Sequence, residues 1–124
     1  MNRTVLIVED TEFCRDTLEV LLMKLPGLAV RSVATAEEAL ECLHSQEVCA
    51  LITDLDLPRM DGFELIETIR AQPRRSPLPI LVISGDSDPR TPERLASLGA
   101  DAYFSKPYSP AEVRQKLEQL IDGF

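Results

Sequence analysis

Short apolar runs alternate with stretches of helical periodicity along the whole chain. Residues 5–8, 29–33, 49–53, 80–83 and 102–104 read as strands. Three of these runs are almost continuously apolar, the pattern of parallel strands covered on both faces. Between them the apolar positions recur at helical spacing. Cys14, Leu18, Leu21, Leu22 and Leu25 share one helical face, which makes Cys14 a small core hydrophobe. Val113, Leu117, Leu120 and Ile121 form the stripe of a last amphipathic helix.

The helices carry start and stop signals. Thr35 with Glu38 has capping-box spacing, and Asp61 with Glu64 resembles it, the Asp capping and the Glu favouring the positive helix end. Thr91-Pro92 places a cap before a first-turn proline, and Gly99 is a suitable stop. Ser109, Pro110 and Glu112 combine a capping box with a first-turn proline. The proline-rich stretch 73–79 is a loop between a helix and a strand. Five successive βα units with right-handed crossovers predict an α/β fold, a doubly wound five-stranded parallel sheet with helices on both faces. No internal linker, low-complexity segment or repeat interrupts residues 1–124, which are expected to form one domain.

Composition changes this picture little. A chain of 124 residues, 44% of them apolar, can build one core without staples. No apolar run approaches the ~20 residues needed to cross a bilayer, so a membrane role is not expected. The formal charge of −8 argues against direct nucleic-acid contact, since only Arg74 and Arg75 sit together. Acidity serves solubility, and it also attracts cations and basic partner surfaces. Cys14, Cys42 and Cys49 are odd in number and lack metal-ligand spacing, so neither disulfides nor a zinc site is indicated. The lone His44 ends a helix and reads as solvated.

The chemistry lies at the strand ends. In open α/β sheets, ligands bind beyond the carboxyl ends of the strands. There the first strand meets Glu9 and Asp10, the third Asp54 and Asp56, the fourth Ser84, and the fifth Lys106-Pro107. Carboxylates ~4 Å apart repel by about 4 kcal/mol at an effective dielectric of 20, so either one is protonated or a cation is bound. An oxygen-only donor set suits Mg²⁺ or Mn²⁺ rather than zinc. Such an ion keeps positions for water and phosphate oxygens, which points to phosphoryl transfer. A carboxylate can be the nucleophile, while an ammonium and a hydroxyl stabilise the equatorial oxygens. Asp54, Lys106 and Ser84 suit those roles. Individually each has a plain structural reading, as a helix cap or a solvated charge. Their joint occurrence at successive strand ends favours the functional one.

At these residues the sequence resembles the receiver domain of two-component response regulators, over essentially its whole length. The run from Val5 through Glu9 to Asp10 is similar to the family's first strand and acidic pair. The run Asp54-Leu55-Asp56-Leu57-Pro58-Arg59-Met60-Asp61-Gly62 resembles its phosphoacceptor motif. Ser84 stands where the family carries Ser or Thr, and Gly99 to Pro107 resembles its final strand with the Lys-Pro pair. The spacings agree: 44 residues from Asp10 to Asp54, 30 more to Ser84 and 22 more to Lys106.

The resemblance implies a flavodoxin-like fold and a role for each residue. Asp54 is expected to accept phosphate from a phosphohistidine on a sensor histidine kinase or histidine phosphotransfer protein. Glu9, Asp10 and Asp54 would bind Mg²⁺ through side chains, and Asp56 through its backbone carbonyl. Ser84 and Lys106 would contact the phosphoryl group, and the Lys106-Pro107 bond would be cis. Ser84, Tyr103 and Pro107 would form the switch, although a Tyr at a strand end can also simply pack there. By the same resemblance Asp56 and Asp86 occupy positions that influence how readily water attacks the phosphoaspartate. The expected protein is a cytoplasmic, self-phosphorylating and autodephosphorylating switch rather than a turnover enzyme. Its output would be a downstream protein or a fused output domain, with a homodimer through the last helices and last strand as a further possibility. The expected context is therefore either a stand-alone receiver or the amino-terminal piece of a longer regulator.

Two other readings use the same residues. Asp54-Leu55-Asp56 superficially fits the Asp-x-Asp motif of small haloacid-dehalogenase-like aspartyl phosphatases. Pro58, however, stands where that family wants Thr or Val. A phosphorylation-independent interaction module would not need every chemical position filled, as they are here.

Overall fold

The computed structural model describes residues 3–75 and 77–122; Ser76 and the Arg75 side chain, in the proline-rich loop, lie outside that description. The chain runs β1 (Arg3–Val8), α1 (Glu12–Leu22), β2 (Leu28–Val33), α2 (Ala36–Ser45), β3 (Ala50–Thr53), α3 (Gly62–Arg70), a 3₁₀ turn (Pro73–Arg75), β4 (Ile80–Ser84), α4 (Thr91–Leu98), β5 (Ala102–Ser105) and α5 (Pro110–Asp122). All strand pairs are parallel, in the order β2-β1-β3-β4-β5, as the alternation predicts.

Four strands extend past their apolar runs, whereas β3 begins at Ala50, one residue after the expected start at Cys49. Arg3 and Thr4 join β1 because their backbones pair with Leu28 and Ala29, a register that hydrophobicity does not record. Ser84 and Ser105 likewise close the β4–β5 ladder.

Side-chain alternation divides the core in two. Leu6, Val8, Leu51, Ile80 and Val82 face α2, α3 and α4. Val5, Ile7, Ile52, Leu81 and Ile83 face α1 and α5. In α5, Val113 and Leu117 are buried, and Leu120 and Ile121 are partly buried against the same cluster. Cys14 departs from its predicted core role. It lies in the first turn of α1, above the layer formed by Leu18, Leu21 and Leu22, is only half-buried, and has its Sγ 3.7 Å from Lys106 Nζ. His44 is exposed in the last turn of α2.

The capping signals resolve individually. The reciprocal box forms at Asp61, whose Oδ1 accepts from Glu64 N–H at 2.9 Å while Glu64 Oε1 accepts from Asp61 N–H at 3.4 Å. Thr35 accepts from Glu38 N–H, but the Glu38 carboxylate takes the Thr35 hydroxyl instead of a backbone donor. Ser109 Oγ accepts from Glu112 N–H at 3.3 Å. Thr91 is not the cap its sequence context predicts. It is the first helical residue of α4, Arg90 precedes it without a side-chain cap, and the Thr91 hydroxyl donates to Asp86 Oδ2 at 2.8 Å. Gly99 ends α4 in the left-handed conformation at φ 97°, as a stop glycine should.

Candidate phosphoacceptor site at the carboxyl ends of the strands

A parallel sheet brings all its carboxyl ends to one edge, so residues far apart in sequence become neighbours there. Asp54 follows β3 and is 7% exposed. Its Oδ1 accepts from the N–H groups of Leu55 at 2.6 Å and Asp56 at 3.2 Å, which fixes the carboxylate over its own turn. Its Oδ2 takes a hydrogen bond from Lys106 Nζ at 3.0 Å. The same ammonium donates to Glu9 Oε2 at 3.0 Å. Lys106 thus bridges the ends of β1 and β3, held in place by its own N–H, which donates to Ser84 O at 2.9 Å.

Burial and pairing compete at all three groups. Burial pushes the Asp54 carboxyl up, but the Lys106 ammonium and the Asp56 N–H outweigh it and hold the carboxyl below its usual range. Glu9 is 1% exposed, and there burial wins over Lys106, leaving its carboxyl above the usual range. Burial disfavours the Lys106 ammonium, yet Glu9 and then Asp54 more than compensate, and its pKa is raised. The balance at Asp54 thus favours its carboxylate form, paired with the Lys106 ammonium.

Asp10, Asp54, Asp56, Ser84, Asp86 and Lys106 line one cavity of ≈ 670 Å³. Asp10 and Asp56 are exposed at its rim, whereas Ser84 is 2% exposed. Glu9 is placed behind this rim, with Oε1 accepting from Thr11 N–H at 3.1 Å and Oε2 on Lys106. Among the described residues, no three His, Cys, Asp or Glu side chains form a closed metal cage. The donors facing the cavity are nevertheless all oxygens. Carboxylate oxygens from Asp10, Asp54 and Asp56 in the cavity lining suit a hard cation such as Mg²⁺, which keeps several water positions.

Backbone packing sets the loop that follows Asp54. Gly62 opens α3 directly beneath it: a Cβ there would stand 2.4 Å from Asp54 O and 2.7 Å from Leu55 Cα. Gly62 N–H donates to Leu55 O at 2.9 Å. Arg59 adopts φ 64°, the left-handed region, in the same loop.

The Lys106-Pro107 bond is cis. Tyr103 is half-buried against the α2–α3–α4 face, and its hydroxyl donates to Asp86 O at 3.0 Å. Sequence reasoning missed Phe63 as a cavity wall and Arg94, whose guanidinium carbon lies 3.7 Å from the Phe63 ring centroid. Phe63 follows the Asp-Gly of its motif and was findable. Arg94 has no local signal, because the contact depends on how α4 packs on α3.

Comparison with known proteins agrees with this geometry. The response regulator receiver domain family matches residues 5–118. The transcriptional regulatory protein GltR of Pseudomonas aeruginosa is 34% identical over 97% of this chain, covering 49% of its own length. The chain spans about half the length of the first curated relatives it matches. A response regulator from Chloroflexus aurantiacus superposes with TM-score 0.91 at 32% identity, over 98% of this chain and 99% of that one. The receiver domain of a sensor histidine kinase from Pseudomonas aeruginosa, described with magnesium in its active-site cleft, superposes with TM-score 0.87 at 28% identity, over 98% and 99%.

Proposed function

Because the chain belongs to the response regulator receiver domain family, we propose that Asp54 is its phosphoacceptor and that phosphorylation there switches a protein-interaction surface. The observation that carries this reading is the Lys106 bridge. A buried, ionised carboxylate is held 3.0 Å from an ammonium at the floor of an acid-rimmed cavity.

The donor is a phosphohistidine on a sensor histidine kinase or histidine phosphotransfer protein. Asp54 Oδ attacks phosphorus, the P–N bond breaks, and the imidazole departs, leaving an acyl phosphate on Asp54. Lys106 moves its hydrogen bond from the carboxylate to a phosphoryl oxygen, and Ser84 Oγ–H donates to another. Asp10, Asp54 and the Asp56 carbonyl would hold Mg²⁺ or Mn²⁺, with Glu9, the fourth expected ligand, joining them only on leaving Lys106, and the ion would supply positive charge against the equatorial oxygens. Glu9, placed on Lys106, supports this set from behind. Later attack by water on phosphorus returns the Asp54 carboxylate and releases inorganic phosphate. The protein so described resets itself and is a switch rather than a turnover enzyme.

The readout passes through Ser84, Tyr103 and Pro107 to the face of α4, β5 and α5, which is offered to a downstream protein, a fused output domain or a second copy of the chain. Among the described residues no helix is long and apolar enough to cross a membrane, and the reading carries a cytoplasmic location with it. Acetyl phosphate with Mg²⁺ should add one phosphoryl group to the protein, and Asp54→Asn should abolish the addition. Equal labelling of both proteins in intact-mass spectra would overturn the assignment.

A further inference from the structure

The loop between β4 and α4 is organised around one residue. Asp86 N–H donates to Ser84 Oγ at 3.2 Å, and Asp86 Oδ1 accepts from Asp88 N–H at 2.9 Å. Its Oδ2 accepts from the Thr91 hydroxyl at 2.8 Å, and its carbonyl accepts from the Tyr103 hydroxyl at 3.0 Å. Every polar group of Asp86 is thereby engaged, and three elements meet on it: the end of β4, the first turn of α4 and the middle of β5.

The Thr91 contact gives this arrangement a discrete character. Thr91 is 3% exposed, while Asp86 is exposed. If the Asp86 carboxylate swings away, the Thr91 hydroxyl loses its acceptor in a buried setting, which is costly. Arg90 supplies no side-chain cap at the start of α4, so the Asp86–Thr91 hydrogen bond is a side-chain contact that holds that end of the helix. The clasp is closed or open, with little between.

We infer that Asp86, clasped to Thr91, is the positioning residue through which Ser84 governs both the start of α4 and Tyr103. The inference rests on the phosphoacceptor reading for its trigger, since Ser84 has cause to move when a phosphoryl group arrives on Asp54. Movement of Ser84 draws on the Asp86 N–H, and Asp86 then releases or carries Thr91 and Tyr103 together. The carboxylate acts by its hydrogen bonds rather than by its charge.

The test separates geometry from charge. Asp86→Ala removes the clasp and the charge, Thr91→Val removes only the clasp, and Asp86→Asn removes the charge while keeping an acceptor and a side-chain partner for Thr91. Amide hydrogen exchange in the unphosphorylated full chain is the first readout. Asp86→Ala and Thr91→Val should each speed exchange at the Arg90 and Thr91 amides by about tenfold, the loss of one hydrogen bond, and the double variant no further. Asp86→Asn should stay close to the parent. The second readout is the exchange change across α4 on treatment with acetyl phosphate and Mg²⁺. Thr91→Val should label at Asp54 as the parent does, yet lose most of that change.

A silent Thr91→Val together with an Asp86→Asn that behaves like Asp86→Ala would overturn the clasp in favour of charge. Additive single effects would also overturn it. Failure of the parent protein to label would sink the phosphoacceptor reading alone, because the first readout needs no phosphate.

Discussion

The two ends of the sheet are made by the same five strands and differ in what they bury. At the amino ends, a cavity of ≈ 470 Å³ is lined by His44, Glu47, Arg74, Pro77 and neighbouring residues. His44, Glu47 and Arg74 are all exposed there. At the carboxyl ends, Glu9, Thr53, Asp54, Ser84 and Thr91 are the buried polar or charged residues among those described. Both ends are concave, so shape does not distinguish them. Buried charge does, because an ionised group is kept out of water only where partners are arranged for it.

The contrast can be broken most strongly at Gly62. Gly62→Ala would drive a methyl group into the backbone of Asp54 and Leu55 and should cost about 2–3 kcal/mol, with a loss of phosphoryl labelling. Urea unfolding and intact-mass labelling check both effects; an unchanged unfolding midpoint would show that the loop is slack.

Lys106→Met keeps the aliphatic stem and removes the ammonium. It should cost about 1–2 kcal/mol near neutral pH, less than a fully buried pair would, because Lys106 is 26% exposed. Its pH dependence has a definite sign. In the parent protein Asp54 titrates below its usual value, so its contribution is complete above about pH 4 and is lost as the pH falls through the depressed value. Glu9 titrates above its usual value, so its contribution is present at low pH and is lost as the pH rises through the raised value. Without the ammonium, burial governs both carboxyls and both titrate high. The variant's deficit should therefore shrink between about pH 7 and about pH 5. A deficit of constant size over that range would show that the bridge contributes packing and not charge.

Arg59→Gly should raise stability by about 0.5–1 kcal/mol by removing a left-handed Arg, the exposed Arg59–Glu37 ion pair being worth little. A fall in the unfolding midpoint would assign that ion pair more weight than its exposure suggests. At the other end of the sheet, Arg74→Ala should stay within about 0.5 kcal/mol and leave labelling untouched. A labelling defect there would erase the functional distinction between the two ends.

Much of this was legible before the structure. The alternation of apolar runs with helical periodicity predicts the five βα units, and the strand-end residues Glu9, Asp10, Asp54, Ser84 and Lys106 are read directly from where each run stops. Asp61 and Gly99 act as their sequence context predicts. Thr91 does not, because a hydroxyl beside a helix start can cap the helix or donate elsewhere, and the choice depends on the position of Asp86. Cys14 is misread for a related reason. A helical face gives rotation but not height above the sheet, and its first turn stands level with Lys106.

The sequence alone determined the order of elements, the single parallel sheet and which polar groups stand at the strand ends, because residue spacing and hydrophobic period are local quantities. Only the tertiary structure decided which carboxylate the ammonium serves. Lys106 divides itself between Glu9 and Asp54, Glu9 withdraws behind the cavity rim, and Asp86 gathers Ser84, Thr91 and Tyr103. Those choices come from distances between strands that are distant in sequence and adjacent in the sheet, and the balance of burial against pairing exists only once those strands have met.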